Sequence, residues 1–232
     1  MKFSRKQVIS IFRGLYRLLA DTEYYNEEIL PKEGPYILAM NHLSLVDFPA
    51  LCFIKRWEDV VPLAAKEYLN YPFFGKLLRD FGTIYIDRSC TDFSALRAAF
   101  GVLKEGKILT LAPEGTRSKT GGLNEGKEGI GLIAAKAGVP VCTVSVAGTY
   151  QFKEEIKRFR RPRFVLRFGP AFEMPEIDRE NREASMRAAT DEVMCRIAAL
   201  LPKELRGVYA DFPRVAELIA QYKQAGELQL PE

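Results

Sequence analysis

The sequence predicts a single α/β domain: a largely parallel or mixed central sheet flanked by helices, preceded by an N-terminal amphipathic helix. Three observations carry this. Short apolar runs alternate with helical-period stretches from residue 36 to residue 169, the pattern of a sheet covered by helices. At 232 residues the chain is large for one such domain and small for two. Its 47% apolar and 28% charged residues supply a sizeable core and exclude a disordered or fibrous chain.

Residues 1–20 predict the amphipathic helix. Val8, Ile11, Phe12, Leu15, Leu18 and Leu19 recur at helical spacing, with Lys6, Ser10, Arg13 and Arg17 opposite. Such a helix either docks on the domain with a solvated basic face or lies in a bilayer interface, its cations toward anionic headgroups. Strands follow at 36–40, 60–65, 83–87, 107–112, 139–148 and 163–169, and helices at 47–56, 72–80, 91–104, 129–137, 183–201 and 212–224. Three parts result: the helical segment 1–25, an α/β core over 26–175 and a C-terminal helical extension over 176–232 packed on the core. No signal peptide and no apolar run of spanning length is visible.

Cys52, Cys90, Cys142 and Cys195 lie far apart and form no C-x-x-C pair. The single histidine in the chain argues against a Cys/His zinc site, and a reducing, cytoplasmic compartment fits. The net charge of +4 is unevenly placed: Lys2, Arg5, Lys6, Arg13 and Arg17 open the chain, and "KRFRRPR" fills 157–163.

The single histidine stands in "NHLSLVDFPA", residues 41–50, five positions before Asp47. Inside one helix that spacing would set the two side chains about 140° apart. They meet only across a non-helical turn, which a strand-to-helix loop provides. Two readings are open. Asp47 can be the N-cap of a helix that carries Pro49 in its first turn, with His42 an ordinary loop residue. Alternatively its carboxylate orients the imidazole as a general base. No other side chain titrates near neutrality without a strongly shifted pKa, and no G-x-S-x-G offers a serine nucleophile. The pair therefore suits direct activation of a substrate alcohol.

Two further loops place an arginine just past a strand: "GTIYIDRS" (82–89) with Arg88, and "APEGTRSKTGG" (112–122) with Glu114, Gly115, Thr116 and Arg117. Lys127 follows in "NEGKEG". Guanidinium forks and loop amides match phosphate oxygens, although each loop alone reads equally as an ion pair or a Pro/Gly turn.

"NHLSLVD", "GTIYIDR", "PEGTRS" and "VPVCTV", in this order, resemble the four blocks of the glycerolipid acyltransferase family, typified by 1-acylglycerol-3-phosphate O-acyltransferases. The resemblance covers about residues 30–175. It implies His42 as general base and Asp47 as its partner, with Arg88, Glu114, Gly115, Thr116 and Arg117 in the acceptor-binding loops and Lys127 at a basic position beyond the third block. One departure is Thr143, where the fourth block usually has a second proline. The implied reaction moves a fatty acyl group from acyl-coenzyme A or acyl carrier protein to a lysophospholipid hydroxyl, first that of 1-acyl-sn-glycerol 3-phosphate to give phosphatidic acid. Another lipid or glycerol-phosphate acceptor is the alternative within the family. The resemblance implies no metal or organic cofactor and no nucleic acid. A membrane lipid as acceptor implies a membrane surface as partner, met from the cytoplasmic side by a peripheral or monotopic protein.

A nucleotide hydrolase is a weaker alternative. Gly121-x4-Gly126-Lys127 nearly forms a phosphate-binding P-loop, but Glu128 stands where Mg²⁺ needs Ser or Thr. A non-catalytic lipid binder on the same fold is the alternative from another class.

Overall fold

The computed structural model describes residues 2–178, 180–226 and 228–231. A seven-stranded sheet orders the chain as β1-β7-β6-β2-β5-β3-β4. The strands are β1 (Asp21–Tyr25), β2 (Tyr36–Met40), β3 (Val60–Ala65), β4 (Ile84–Ile86), β5 (Ile108–Leu111), β6 (Val141–Ala147) and β7 (Arg163–Phe168). From β6 to β4 all neighbours are parallel; β7 runs antiparallel to β6, and β1 follows β7 in parallel. β2 is central and buried at every position, as a strand covered on both faces must be.

Helices cover both faces. On one side lie α1 (Arg5–Leu19), α2 (Pro72–Phe81) and the 3-10 segment Pro49–Phe53, packed with Trp57 and Phe164. On the other lie α3 (Phe93–Lys104), α4 (Gly129–Ala137), α6 (Arg182–Ala199) and α7 (Pro213–Ala225). The short α5 (Phe152–Lys157) joins β6 to β7.

α1 begins at a capping box, Ser4 with Gln7, which satisfies two otherwise orphan amides. It buries Val8, Ile9, Phe12 and Tyr16 against the domain, while Leu15 and Leu18 face outward, so the covered stripe is rotated from the predicted one. Part of the basic face is also engaged. Arg5 donates to the carbonyls of Phe81 and Val60, and Arg13 to that of Cys52 at 2.8 Å. The domain itself covers most of the apolar side of α1. No described helix is long and apolar enough to cross a membrane.

Two local expectations are corrected. Residues 21–25 form edge strand β1 rather than the tail of the first helix. The 47–56 helix is a 3-10 segment of five residues; Pro49, Ala50, Leu51 and Cys52 are buried in succession, which an amphipathic α-helix does not allow. The basic cluster at 157–163 begins as the last residue of α5.

Candidate active site

The loops leaving β2, β5, β3, β4 and β6 converge at the carboxyl edge of the parallel strands, where open α/β sheets bind ligands. Asn41, just past β2, bonds Val146 in both directions: its Nδ2 donates to the carbonyl at 2.8 Å and its Oδ1 accepts the amide at 2.7 Å. This carries the β2–β6 pairing one residue beyond the strand and fixes the exit of His42. The backbone of His42 is then clamped by the loop after β5. Its amide donates to Glu114 Oε1 and its carbonyl accepts from the Ser118 amide, both at 2.7 Å.

Asp47 is fully buried. Its Oδ2 lies 2.8 Å from His42 Nδ1 and accepts the Leu43 and Ser44 amides at 2.6 Å; its Oδ1 accepts the Thr149 hydroxyl. The carboxylate therefore points back along the turn, and the 3-10 segment has Phe48 at its N-cap with no side-chain cap. That decides against the capping role. A buried carboxylate ringed by donors accepts the Nδ1–H of His42, so Nε2 carries the free lone pair. Tyr68 Oη sits 3.1 Å from that nitrogen.

Nε2 faces a cavity of about 360 Å³. Its interior is apolar, with Leu63, Leu78, Ile86, Leu96, Ile130 and Ile133 among its walls; His42, Arg88, Gly115 and Lys127 line it too. Arg88 donates one nitrogen to the Gly115 carbonyl and another to Glu67 at 2.9 Å, drawing the Glu67 carboxyl below its ordinary range. Among the described residues, no carboxylate lies within ion-pairing distance of Lys127 or Arg117. Arg117 does not line the cavity. Its charge, with that of Arg88, still opposes the rise that burial imposes on the Tyr68 phenol. Thr116 is exposed outside the cavity wall.

Gly115 explains why the loop is built from glycine at that point. Its φ is +65°, and a Cβ there would meet Lys127 Cδ at 2.9 Å; only glycine takes that conformation freely while the lysine stem crosses over it. Glu114, expected among the acceptor-binding residues, has a different place. It is 1% exposed, and its second oxygen accepts the Asn124 amide at 2.8 Å, so it ties three loop segments together and does not line the cavity. Burial raises its pKa against those two amide bonds. Thr143 packs near Gly169 and Leu200 and also stays out of the cavity wall.

The family described as Acyltransferase matches residues 21–147, more than half of the sequence. The chain belongs to the acyltransferase family. Among acyltransferase relatives, it is 37% identical over 120 residues to the 1-acyl-sn-glycerol-3-phosphate acyltransferase of Cocos nucifera, covering 49% of this chain and 38% of the relative. It is 30% identical over 128 residues to the protein of that name from Borreliella burgdorferi, covering 54% and 50%. The chain thus spans half or less of the length of these two relatives. The crystal structure of the 1-acyl-sn-glycerophosphate (LPA) acyltransferase PlsC from Thermotoga maritima superposes with a TM-score of 0.60 at 26% identity, covering 82% of this chain and 78% of that one.

Sequence reasoning did not single out Tyr68, Thr149 or Asn41. Tyr68 lies in a connecting segment, and Thr149 reaches Asp47 only because β6 is the neighbour of β2. The near P-loop at 121–127 is no strand–loop–helix unit: β5 ends at Leu111, and the Lys127 amide is bound to the Pro113 carbonyl. The C-terminal extension buttresses this segment. Leu123 pairs with Leu205 and Val208, and the Gly126 amide donates to the Tyr209 hydroxyl, which donates to Asp191.

Proposed function

We propose that this chain transfers a fatty acyl group from an acyl thioester to the free hydroxyl of 1-acyl-sn-glycerol 3-phosphate, giving phosphatidic acid. The observation that carries the reading is His42. Asp47 fixes its tautomer, its free nitrogen opens onto an apolar cavity, and Arg88 and Lys127 flank the same space. The acceptor hydroxyl gives its proton to Nε2 as its oxygen attacks the thioester carbonyl. The tetrahedral intermediate expels the thiolate, which takes the proton from the imidazolium. Asp47 stabilises the charge His42 carries between the two transfers. Arg88 and Lys127 hold the phosphate so that the hydroxyl reaches the base, which turns an encounter into an intramolecular step. The apolar walls receive an acyl chain.

The scheme calls for no metal or organic cofactor. The thioester carrier is acyl-coenzyme A or acyl carrier protein. The protein works at the cytoplasmic face of a membrane, peripherally, with the outward Leu15 and Leu18 of α1 and the exposed Lys6 toward lipid. The test is purified protein with lysophosphatidic acid and each donor, following free thiol. Phosphatidic acid forms, and His42→Ala abolishes its formation while leaving lipid binding in place. Lipid binding with no turnover in the wild type would instead make the chain a lipid-binding protein.

A further inference from the structure

We propose that Tyr68 is a latch on the base: without acceptor its hydroxyl occupies the free nitrogen of His42, and phosphate arriving at Arg88 releases it. This deepens the acyl-transfer reading and rests on it.

With Nδ1–H committed to Asp47, Nε2 is an acceptor, so the Tyr68 hydroxyl is the donor across 3.1 Å. An acceptor alcohol must sit at that same point to surrender its proton. Tyrosine and substrate therefore compete for one lone pair.

The segment bearing Tyr68 is lightly held. Lys66–Asn70 is a single 3-10 turn with no buried residue, and Tyr68 is its one half-buried side chain. The ring leans on Tyr71 and Phe74, with centroids 6.0 and 6.4 Å away. Its ionic tethers both run to the loop after β4: Glu67 to Arg88 at 2.9 Å and Lys66 to Asp87 at 3.2 Å. Such exposed pairs contribute little in water. Arg88 is also the guanidinium proposed for the acceptor phosphate. A phosphate on that fork displaces the Glu67 carboxylate, since the two anions need the same donors and repel each other. Glu67 then lets go of the turn next to Tyr68 just as the acceptor hydroxyl arrives.

The latch guards against waste. An uncovered Nε2 beside a bound thioester would take a proton from water, whose oxygen adds to the carbonyl. The C–S bond then breaks and the thiolate recovers the proton from the imidazolium, leaving fatty acid and thiol. Tyr68 denies water that position until an acceptor is present.

Two variants and one spectrum test this. Tyr68→Phe keeps the ring and removes the hydroxyl. The ratio of acceptor-independent thioester hydrolysis to acyl transfer rises about three- to tenfold, the scale of one lost hydrogen bond. Glu67→Gln leaves Tyr68 intact and raises the ratio in the same direction by less. Because His42 is the only histidine, ¹⁵N-histidine labelling reports one imidazole. Adding phosphatidic acid, which carries the phosphate but no free hydroxyl for the base, shifts the wild-type Nε2 resonance toward its position in substrate-free Tyr68→Phe, while Nδ1 stays protonated. An unchanged ratio in both variants overturns the latch. If the wild type transfers no acyl group to any acceptor, the acyl-transfer reading fails by itself. The latch then stands or falls on whether phosphatidic acid releases Nε2 in the spectrum.

Discussion

The two sides of the cavity mouth are built by opposite means. On the side of β2 and β5, His42, Asp47 and Glu114 are held by backbone amides, and both carboxylates are buried to within 1%. On the side of β3 and β4, the turn at Lys66–Asn70 and the loop at 87–92 meet mainly through exposed ion pairs. The first construction fixes a tautomer and a ring orientation, which base catalysis needs before substrate arrives. The second can open without unfolding the first, because its bonds are ones that water replaces at small cost. A rigid base facing a yielding cover is what a cavity needs if it must admit a bulky lipid and still present one proton acceptor in one place.

The strongest way to break this contrast is Asp47→Asn. The amide keeps the shape, but its NH2 must face one of the donors that Asp47 now accepts, and it no longer selects the Nδ1–H tautomer. Turnover should fall on the order of 10³- to 10⁴-fold, the scale seen when such an orienting carboxylate is neutralised elsewhere. A buried donor left unpaired should also lower stability by about 1–3 kcal/mol. Thiol release and a denaturant melt measure the two effects, and the histidine ¹⁵N spectrum shows whether the proton has moved to Nε2. Turnover within tenfold of wild type would mean that Asp47 only shapes the turn.

Gly115→Ala probes the seam between the two sides, since the Gly115 carbonyl takes Arg88 while its Cα lies under Lys127. The left-handed backbone costs a side chain about 1–2 kcal/mol, and the added methyl displaces the lysine stem. Both phosphate-binding candidates shift, and the imidazole does not. The expected result is an acceptor KM raised about tenfold, as loss of a charge-assisted contact implies, with kcat changed far less. Equal losses in both constants would place the seam in the chemical step.

The rigid side is also the one that sequence makes legible. Its residues fall in two short blocks, and the His42–Asp47 contact follows from five positions of turn after a strand. The six strands predicted from apolar runs all form; even β4, at the sheet edge with no fully buried residue, keeps an apolar run, "IYI". β1 escapes notice because "DTEYY" opens with three polar residues and has no fully buried position, so it lacks both an apolar run and the apolar alternation that marks a half-buried strand. Glu114 is visible as part of a block, yet its job is not: a carboxylate beside arginines reads as a ligand partner until the amides of His42 and Asn124, far apart in the chain, are seen to converge on it. Tyr68 and Thr149 are illegible for a deeper reason. Neither has a local pattern; each matters through strand adjacency, β3 with β5 and β6 with β2, which no window along the chain contains.

The smallest expected effect sharpens the contrast from the yielding side. The Ser89 hydroxyl and amide, followed by Lys66, hold the Asp87 carboxyl down at about 2. A depressed carboxylate stabilises the fold fully above its ordinary pKa of about 3.9, and that contribution disappears as pH falls through the folded value. Between pH 7 and pH 5, then, the tether from Asp87 to the turn does not weaken. Below pH 4 it fails progressively, and the loop at 87–92 should gain amide exchange before residues 41–48, whose bonds are buried. Asp87→Asn should reproduce that local opening at neutral pH with little change in global stability, since both partners of the Lys66 pair are solvated. Hydrogen exchange resolved by segment reads the difference. Simultaneous opening of both segments on acidification would show that the two sides of the mouth are one cooperative unit, and the rigid and yielding halves would have to be given up as separate things.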